Sequence, residues 1–154
     1  MKVNLKKIPL ILFIAVTVMT GYFFWLTSRP VEIVSVHEDG NYSSILVKNF
    51  PITEKGKIDW WLKNKDIIKL RYDIPKPASH GNFTTIIWLF GEGYMEEGKY
   101  DRLCFIDMKP PVNCIEKNRV FSISYSENRG TIFTVNNSEY RMEKNGNIRK
   151  LKNQ

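Results

Sequence analysis

The sequence predicts an α+β protein: one N-terminal transmembrane helix, then a single small domain with a mostly antiparallel β-sheet and one main amphipathic helix. Three observations predict it. The stretch Ile8 to Leu26, IPLILFIAVTVMTGYFFWL, runs for 19 residues without a charge. Apolar residues recur at helical spacing once more, between about residues 53 and 71. From Phe83 onwards the chain is a series of short Val-, Ile- and aromatic-rich runs, with turn residues between them and no room for crossover helices.

At about 1.5 Å per residue the first stretch makes a helix of roughly 28 Å, close to the hydrocarbon thickness of a bilayer. Lys2, Lys6 and Lys7 precede it, and only Arg29 follows before Glu32, Glu38 and Asp39. The positive-inside rule therefore places the N-terminus in the cytoplasm. Tyr22, Phe23, Phe24 and Trp25 fall where amphipathic rings favour the headgroup layer. Pro9 lies in the first turn, where its missing N–H has no partner to lose. A cleaved signal peptide is the competing reading. It needs a shorter apolar core and small residues at the cleavage position, and neither Val18-Met19-Thr20 nor Thr27-Ser28-Arg29 supplies them. The expectation is a signal anchor over residues 8–26, with residues 1–7 cytoplasmic and residues 30–154 forming a periplasmic α+β domain.

The formal charge of +7 is concentrated at the anchor. Four of the 23 basic residues (Lys2, Lys6, Lys7, Arg29) flank it and all 16 acids lie beyond it, which leaves 19 against 16 in the outer domain. That mixed surface gives no support for nucleic acid as a partner. The outer segment is long enough for one hydrophobic core and too short for two.

In chain order, VEIVSVHED and SSILVKNF flank the turn Asp39-Gly40-Asn41 and predict a β-hairpin. Because few residues separate Leu26 from the first strand, the domain is expected close to the membrane surface. Thr53 is the expected N-cap of a helix starting near residue 53 or 56 and ending near 71, with Pro75 and Pro77 beyond its end. Ile58, Trp61, Leu62, Ile68 and Tyr72 form its apolar stripe, and Lys57, Asp59, Lys63, Asn64, Lys65 and Lys69 its wet face. FTTIIWLF, YDRLCFI, CIEKNRVFSISY, TIFTV, EYRME and IRKL follow as strands, punctuated by turns at 91–93, 126–130, 136–138 and 144–147.

Both cysteines, Cys104 and Cys114, lie on the outer side, and an oxidising compartment such as a bacterial periplasm would join them. Pro110-Pro111 between them reads as a hairpin tip, so the flanking strands would set the two cysteines opposite each other. With two cysteines, no CxxC, and His37 and His80 far away in sequence, a metal site is the lesser reading.

Catalytic signals are thin. GxSxG, HExxH, P-loop and GxGxxG patterns are absent. His37 beside Glu38 and Asp39, and His80 in a turn, read as solvated or structural histidines. The acidic loop Gly91 to Gly98 lacks the regular ligand spacing of a calcium loop. Trp60-Trp61 is more informative. Adjacent helical residues point about 100° apart, so Trp61 belongs to the core stripe and Trp60 to its edge. There Trp60 is a candidate partner contact, weighed against partial burial under a neighbouring loop.

Several strings resemble a family of small enterobacterial membrane proteins, domain of unknown function 943. They are Arg29-Pro30-Val31-Glu32-Ile33-Val34 with Val36-His37, Val47-Lys48-Asn49-Phe50-Pro51, Lys55-Gly56-Lys57-Ile58 with Trp60-Trp61, Ile74-Pro75-Lys76-Pro77, Asp101-Arg102-Leu103-Cys104-Phe105 and Asn113-Cys114-Ile115-Glu116-Lys117-Asn118. The resemblance covers the chain from the anchor to about residue 135. It implies a bacterial inner-membrane protein with one N-terminal anchor and a periplasmic domain, and it carries no catalytic residues with it.

The functional expectation is a non-enzymatic, membrane-tethered periplasmic domain that binds another protein and needs no cofactor. An immunity-type or inhibitor protein is one concrete form. A structural or accessory subunit of an envelope complex is the alternative, with Thr17, Thr20 and Gly21 as a helix-packing surface. A carboxylate-dependent envelope hydrolase comes third and needs a cleft holding two acids.

Overall fold

The computed structural model describes residues 7–152 and divides into two units, Met1–Pro30 and Val31–Gln154. Lys2 and Lys6, which carry part of the orientation argument, lie outside the described residues.

The first unit is helix α1 (Ile8–Thr27), long and apolar enough to cross a membrane, with none of its residues buried by the protein. Its polar side chains are satisfied within it. The hydroxyls of Thr17 and Thr20 donate to the carbonyls of Phe13 and Val16 at 2.8 and 2.7 Å, and Thr27 donates to Phe23. Hydrocarbon offers no other partner for such groups. Just beyond its end the Arg29 guanidinium lies 3.7 Å from the centre of the Trp25 ring, an arrangement suited to the interface.

The second unit is the expected α+β domain. In chain order it contains β1 (Glu32–Asp39), β2 (Tyr42–Lys48), α2 (Glu54–Tyr72), β3 (Phe83–Leu89), β4 (Met95–Glu96), β5 (Leu103–Cys104) and β6 (Val112–Ile115). These are followed by β7 (Arg119–Ser126), β8 (Gly130–Val135), β9 (Ser138–Met142) and β10 (Ile148–Lys150). The main sheet has the order β1-β2-β3-β7-β8-β9-β10, and a separate small sheet has the order β4-β6-β5.

Three details depart from the expectation of successive antiparallel strands. β2 and β3 pair in parallel, because α2 carries the chain back across the sheet before β3 enters it. β3 pairs with β7 rather than with its successor, and β4 to β6 leave to build the small sheet. The run CIEKNRVFSISY splits at Glu116–Asn118, so that its first part joins the small sheet and its second the large one.

The buried residues of β2 alternate. Ile45 and Val47 pack with Ile58, Trp61 and Ile68 of α2 and with Ile87, Phe121, Ile123, Phe133 and Val135 of the sheet. Leu46 packs on the other face with Phe105 and Ile115. Covered on both faces, β2 has the continuous apolar run such a strand requires. The domain thus has three layers: α2, the main sheet and the small sheet.

Helix α2 begins as its sequence predicts. The Thr53 hydroxyl accepts the Gly56 N–H at 3.0 Å. A Cβ on residue 56 would lie 2.8 Å from Thr53 Oγ1, so the cap needs glycine there. At the other end Asp73 takes a left-handed conformation with φ of 55°. Trp61 is buried, as expected. Lys57 corrects the expected wet face: only 6% exposed, it donates from Nζ to the Val120 carbonyl at 3.1 Å, and burial pushes its ammonium below the usual lysine value. A four-carbon stem lets a lysine on the helix flank lie along apolar surface and place its charge on a strand carbonyl. Near the first turn of α2 the Tyr140 hydroxyl donates to the Glu54 carboxylate, joining β9 to the helix and holding that carboxyl below its ordinary value.

Candidate functional site

The small sheet covers only part of the main sheet, and a cleft opens where it stops. The floor follows from strand alternation. In the β1 to β2 pairing His37 lies opposite Ser44 and Asp39 opposite Tyr42; in the parallel pairing Ser44 lies beside Ile86 and Leu46 beside Trp88. One wall is the segment from Leu103 to Asp107. The cavity volume is about 220 Å³.

That wall is held in two ways. Cys104 and Cys114 are register partners in the β5 to β6 pairing and form the expected disulfide, with sulfurs 2.09 Å apart. Past it, the Phe105 N–H donates to the Asn113 carbonyl, and the Asn113 amide donates back to the Phe105 carbonyl, both at 2.9 Å. The second hold is a polar clamp centred on His37, which is 6% exposed. Its ring stacks on Phe105 with centroids 3.8 Å apart. Nδ1 lies 2.8 Å from Asp107 Oδ1 and Nε2 lies 2.7 Å from the Tyr94 hydroxyl. In the neutral ring Nδ1–H donates to the carboxylate, and Nε2 accepts from the phenol. Asp107 Oδ2 accepts the Glu38 N–H at 3.3 Å. Three segments distant in sequence thereby meet on one imidazole.

The mouth of the cleft is apolar and acidic. Tyr42 and Ile106 line it and are 55% and 77% exposed. Trp88 lies deeper, its indole N–H donating to Ser44 Oγ at 3.2 Å. Asp39, Asp107 and Glu38 supply the charge, and Glu38 is paired with Lys76 at 2.5 Å. That contact holds the Lys76 ammonium above its ordinary value. No lysine or arginine lines the cleft among the described residues.

Of the residues singled out by sequence, the structure brings Cys104 and His37 to this cleft and Cys114 directly behind it. Trp60 lies on the helix side of the sheet, half-buried, its ring meeting Phe50 edge-to-face at 5.1 Å. His80 is exposed in its turn. In the acidic loop Gly91 to Gly98, the carbonyls of Glu96 and Glu97 accept from the Arg102 guanidinium at 2.6 and 3.4 Å. No group of three His, Cys, Asp or Glu side chains suited to a metal ion occurs among the described residues. The clamp itself had no signal in the sequence, since Asp107 is 70 residues and Tyr94 57 residues from His37. The sequence read His37 as a solvated or structural histidine and named no partners.

Both ring nitrogens of His37 are engaged, Nδ1 with the Asp107 carboxylate and Nε2 with the Tyr94 hydroxyl. Neither a curated protein nor a solved structure matches the chain. The family model described as enterobacterial putative membrane protein, domain of unknown function 943, matches residues 2–152, and the chain belongs to that family.

Proposed function

We propose that this protein is a single-pass inner-membrane protein that presents a periplasmic, non-enzymatic domain for binding another protein. The observation that carries the reading is the cleft: an acidic, partly apolar depression with exposed Tyr42 and Ile106 at its mouth and a wall fixed by a disulfide. Exposed aromatic and aliphatic side chains around a rigid depression are the usual anchors of protein recognition. The disulfide supports an oxidising compartment, and the charge bias about α1 supports a cytoplasmic N-terminus. An immunity-type or inhibitor protein is the form that suits a small anchored binder.

The carboxylate hydrolase has one observation in its favour, because Asp39 and Asp107 line the same cleft. It is the weaker reading. Asp107 is engaged through Oδ1 with His37 and through Oδ2 with the Glu38 N–H, so neither oxygen is free to meet a substrate.

Cross-linking the full-length protein in intact cells tests the proposal. A periplasmic or secreted partner that is kept when α1 is replaced by an unrelated transmembrane helix supports the binding domain. Loss of every partner on that replacement moves the function to an envelope-complex subunit that assembles through its anchor. Absence of any protein adduct overturns both.

A further inference from the structure

Resting on the binding-domain reading, we propose that the cleft beside the disulfide receives a lysine or arginine side chain from an extended segment of the partner protein. Charge complementarity argues for a cation. Asp39 is exposed and enters no ion pair among the described residues, Asp107 faces the same space with its oxygens on His37 and the Glu38 N–H, and the lining contains no lysine or arginine to neutralise Asp39. The walls suit the rest of such a side chain. Ile86 and Leu103 offer apolar surface to an alkyl stem, and the rings of Tyr42 and Trp88 offer π faces to its charged end.

Size narrows the occupant. A cavity of about 220 Å³ is below the usual volume of a small-molecule site, roughly 300 to 1,000 Å³, and suits one long side chain. An extended backbone has a place beside it as well. β1, which contributes His37, Glu38 and Asp39 to the lining, is the outermost strand of the main sheet and pairs only with β2. Apart from the Glu38 N–H, which Asp107 Oδ2 accepts, its other edge can take a further strand, with alternate side chains of the incoming segment turned towards the floor.

The test uses the full-length protein in nonionic detergent micelles and two blocked tripeptides, acetyl-Gly-Arg-Gly-amide and acetyl-Gly-Gln-Gly-amide, with the Trp88 indole N–H resonance as reporter. The arginine peptide should shift that resonance saturably and the glutamine peptide should not. Asp39→Asn, which breaks no side-chain hydrogen bond or ion pair among the described residues, should weaken the arginine peptide by about fivefold, the scale of one partly exposed charge pair. Trp60→Ala, on the other side of the sheet, should leave the affinity unchanged. An unresponsive Trp88, equal binding of both peptides, or an Asp39→Asn affinity within about twofold of the original overturns the proposal. So does a Trp88 shift that grows with protein concentration in the absence of peptide, which assigns the cleft to a second copy of the chain. A partner recovered in cells alongside a silent arginine titration removes this inference alone; absence of any cellular partner removes the reading beneath it.

Discussion

On the helix side of the main sheet, Ile45, Val47, Ile87, Phe121, Ile123, Phe133 and Val135 meet Ile58, Trp61 and Ile68 in one continuous apolar cluster. On the other side Leu46, Phe105 and Ile115 form a much smaller cluster. It borders on a histidine clamp and is crossed by a disulfide. The first face is held by burial, which is large and non-directional. The second has fewer buried apolar side chains and adds to them directional bonds and a covalent link. Directional bonds fix a shape without filling it, which is why the cleft opens on the second face.

The largest way to break this contrast is to empty the helix side. Phe133→Ala removes a fully buried ring stacked on Phe121 and should destabilise the domain by about 3 to 5 kcal/mol in equilibrium unfolding. Next, the double substitution Cys104→Ser, Cys114→Ser should cost about 2 to 3 kcal/mol, as expected for a cross-link spanning so short a loop. The domain should remain folded, and amide exchange should quicken over residues 103–115 while β2, β3 and β8 stay protected. Quickening throughout would mean that the two faces are one cooperative unit. His37→Leu fills the site with an apolar side chain but strips Asp107 and Tyr94 of their partner, a loss of about 1 to 3 kcal/mol readable in the melting temperature.

Smaller effects sharpen the helix side. Thr53→Ala deletes the N-cap acceptor and should cost about 1 kcal/mol in the same melt. Glu54→Gln tests the join between α2 and β9 through pH. The Tyr140 hydroxyl, and secondarily Lys150, depress the Glu54 carboxyl below its ordinary value of 4.5. A group depressed in the folded state contributes stability above its unfolded value and loses it as pH falls through the folded one. The stability gap between the original protein and Glu54→Gln should therefore be full above about pH 4.5 and close below it. A gap that is constant with pH would remove the carboxylate from the account.

The legible features lay on both faces and were local. Spacing of Ile58, Trp61, Leu62 and Ile68 gave the buried stripe of α2, Thr53 gave its start, and the double proline between two cysteines gave the opposed pair. Such features are local: they depend on period, on capping chemistry and on the backbone of one turn. The parallel pairing of β2 with β3 was also within reach, since a 19-residue helix between two strands is what a parallel pair requires. What escaped was non-local. Lys57 looked like one more surface lysine because its acceptor, the Val120 carbonyl, is 63 residues away. The clamp on His37 escaped for the same reason. Trp60 was picked out by helical geometry, which fixes direction but not what the ring meets, and it meets Phe50.

The central claim is that the stapled face is the one that meets a partner. Site-specific photo-cross-linking of the full-length protein in intact cells tests it, with the photoreactive residue placed either at Ile106 on the cleft or at Leu70 on the outer side of α2. Both positions are open to solvent, 77% and 88% exposed, so reactivity alone does not separate them. A discrete protein adduct is expected at Ile106 and none at Leu70. An adduct at Leu70 with none at Ile106 would contradict it and move the binding surface to the helix.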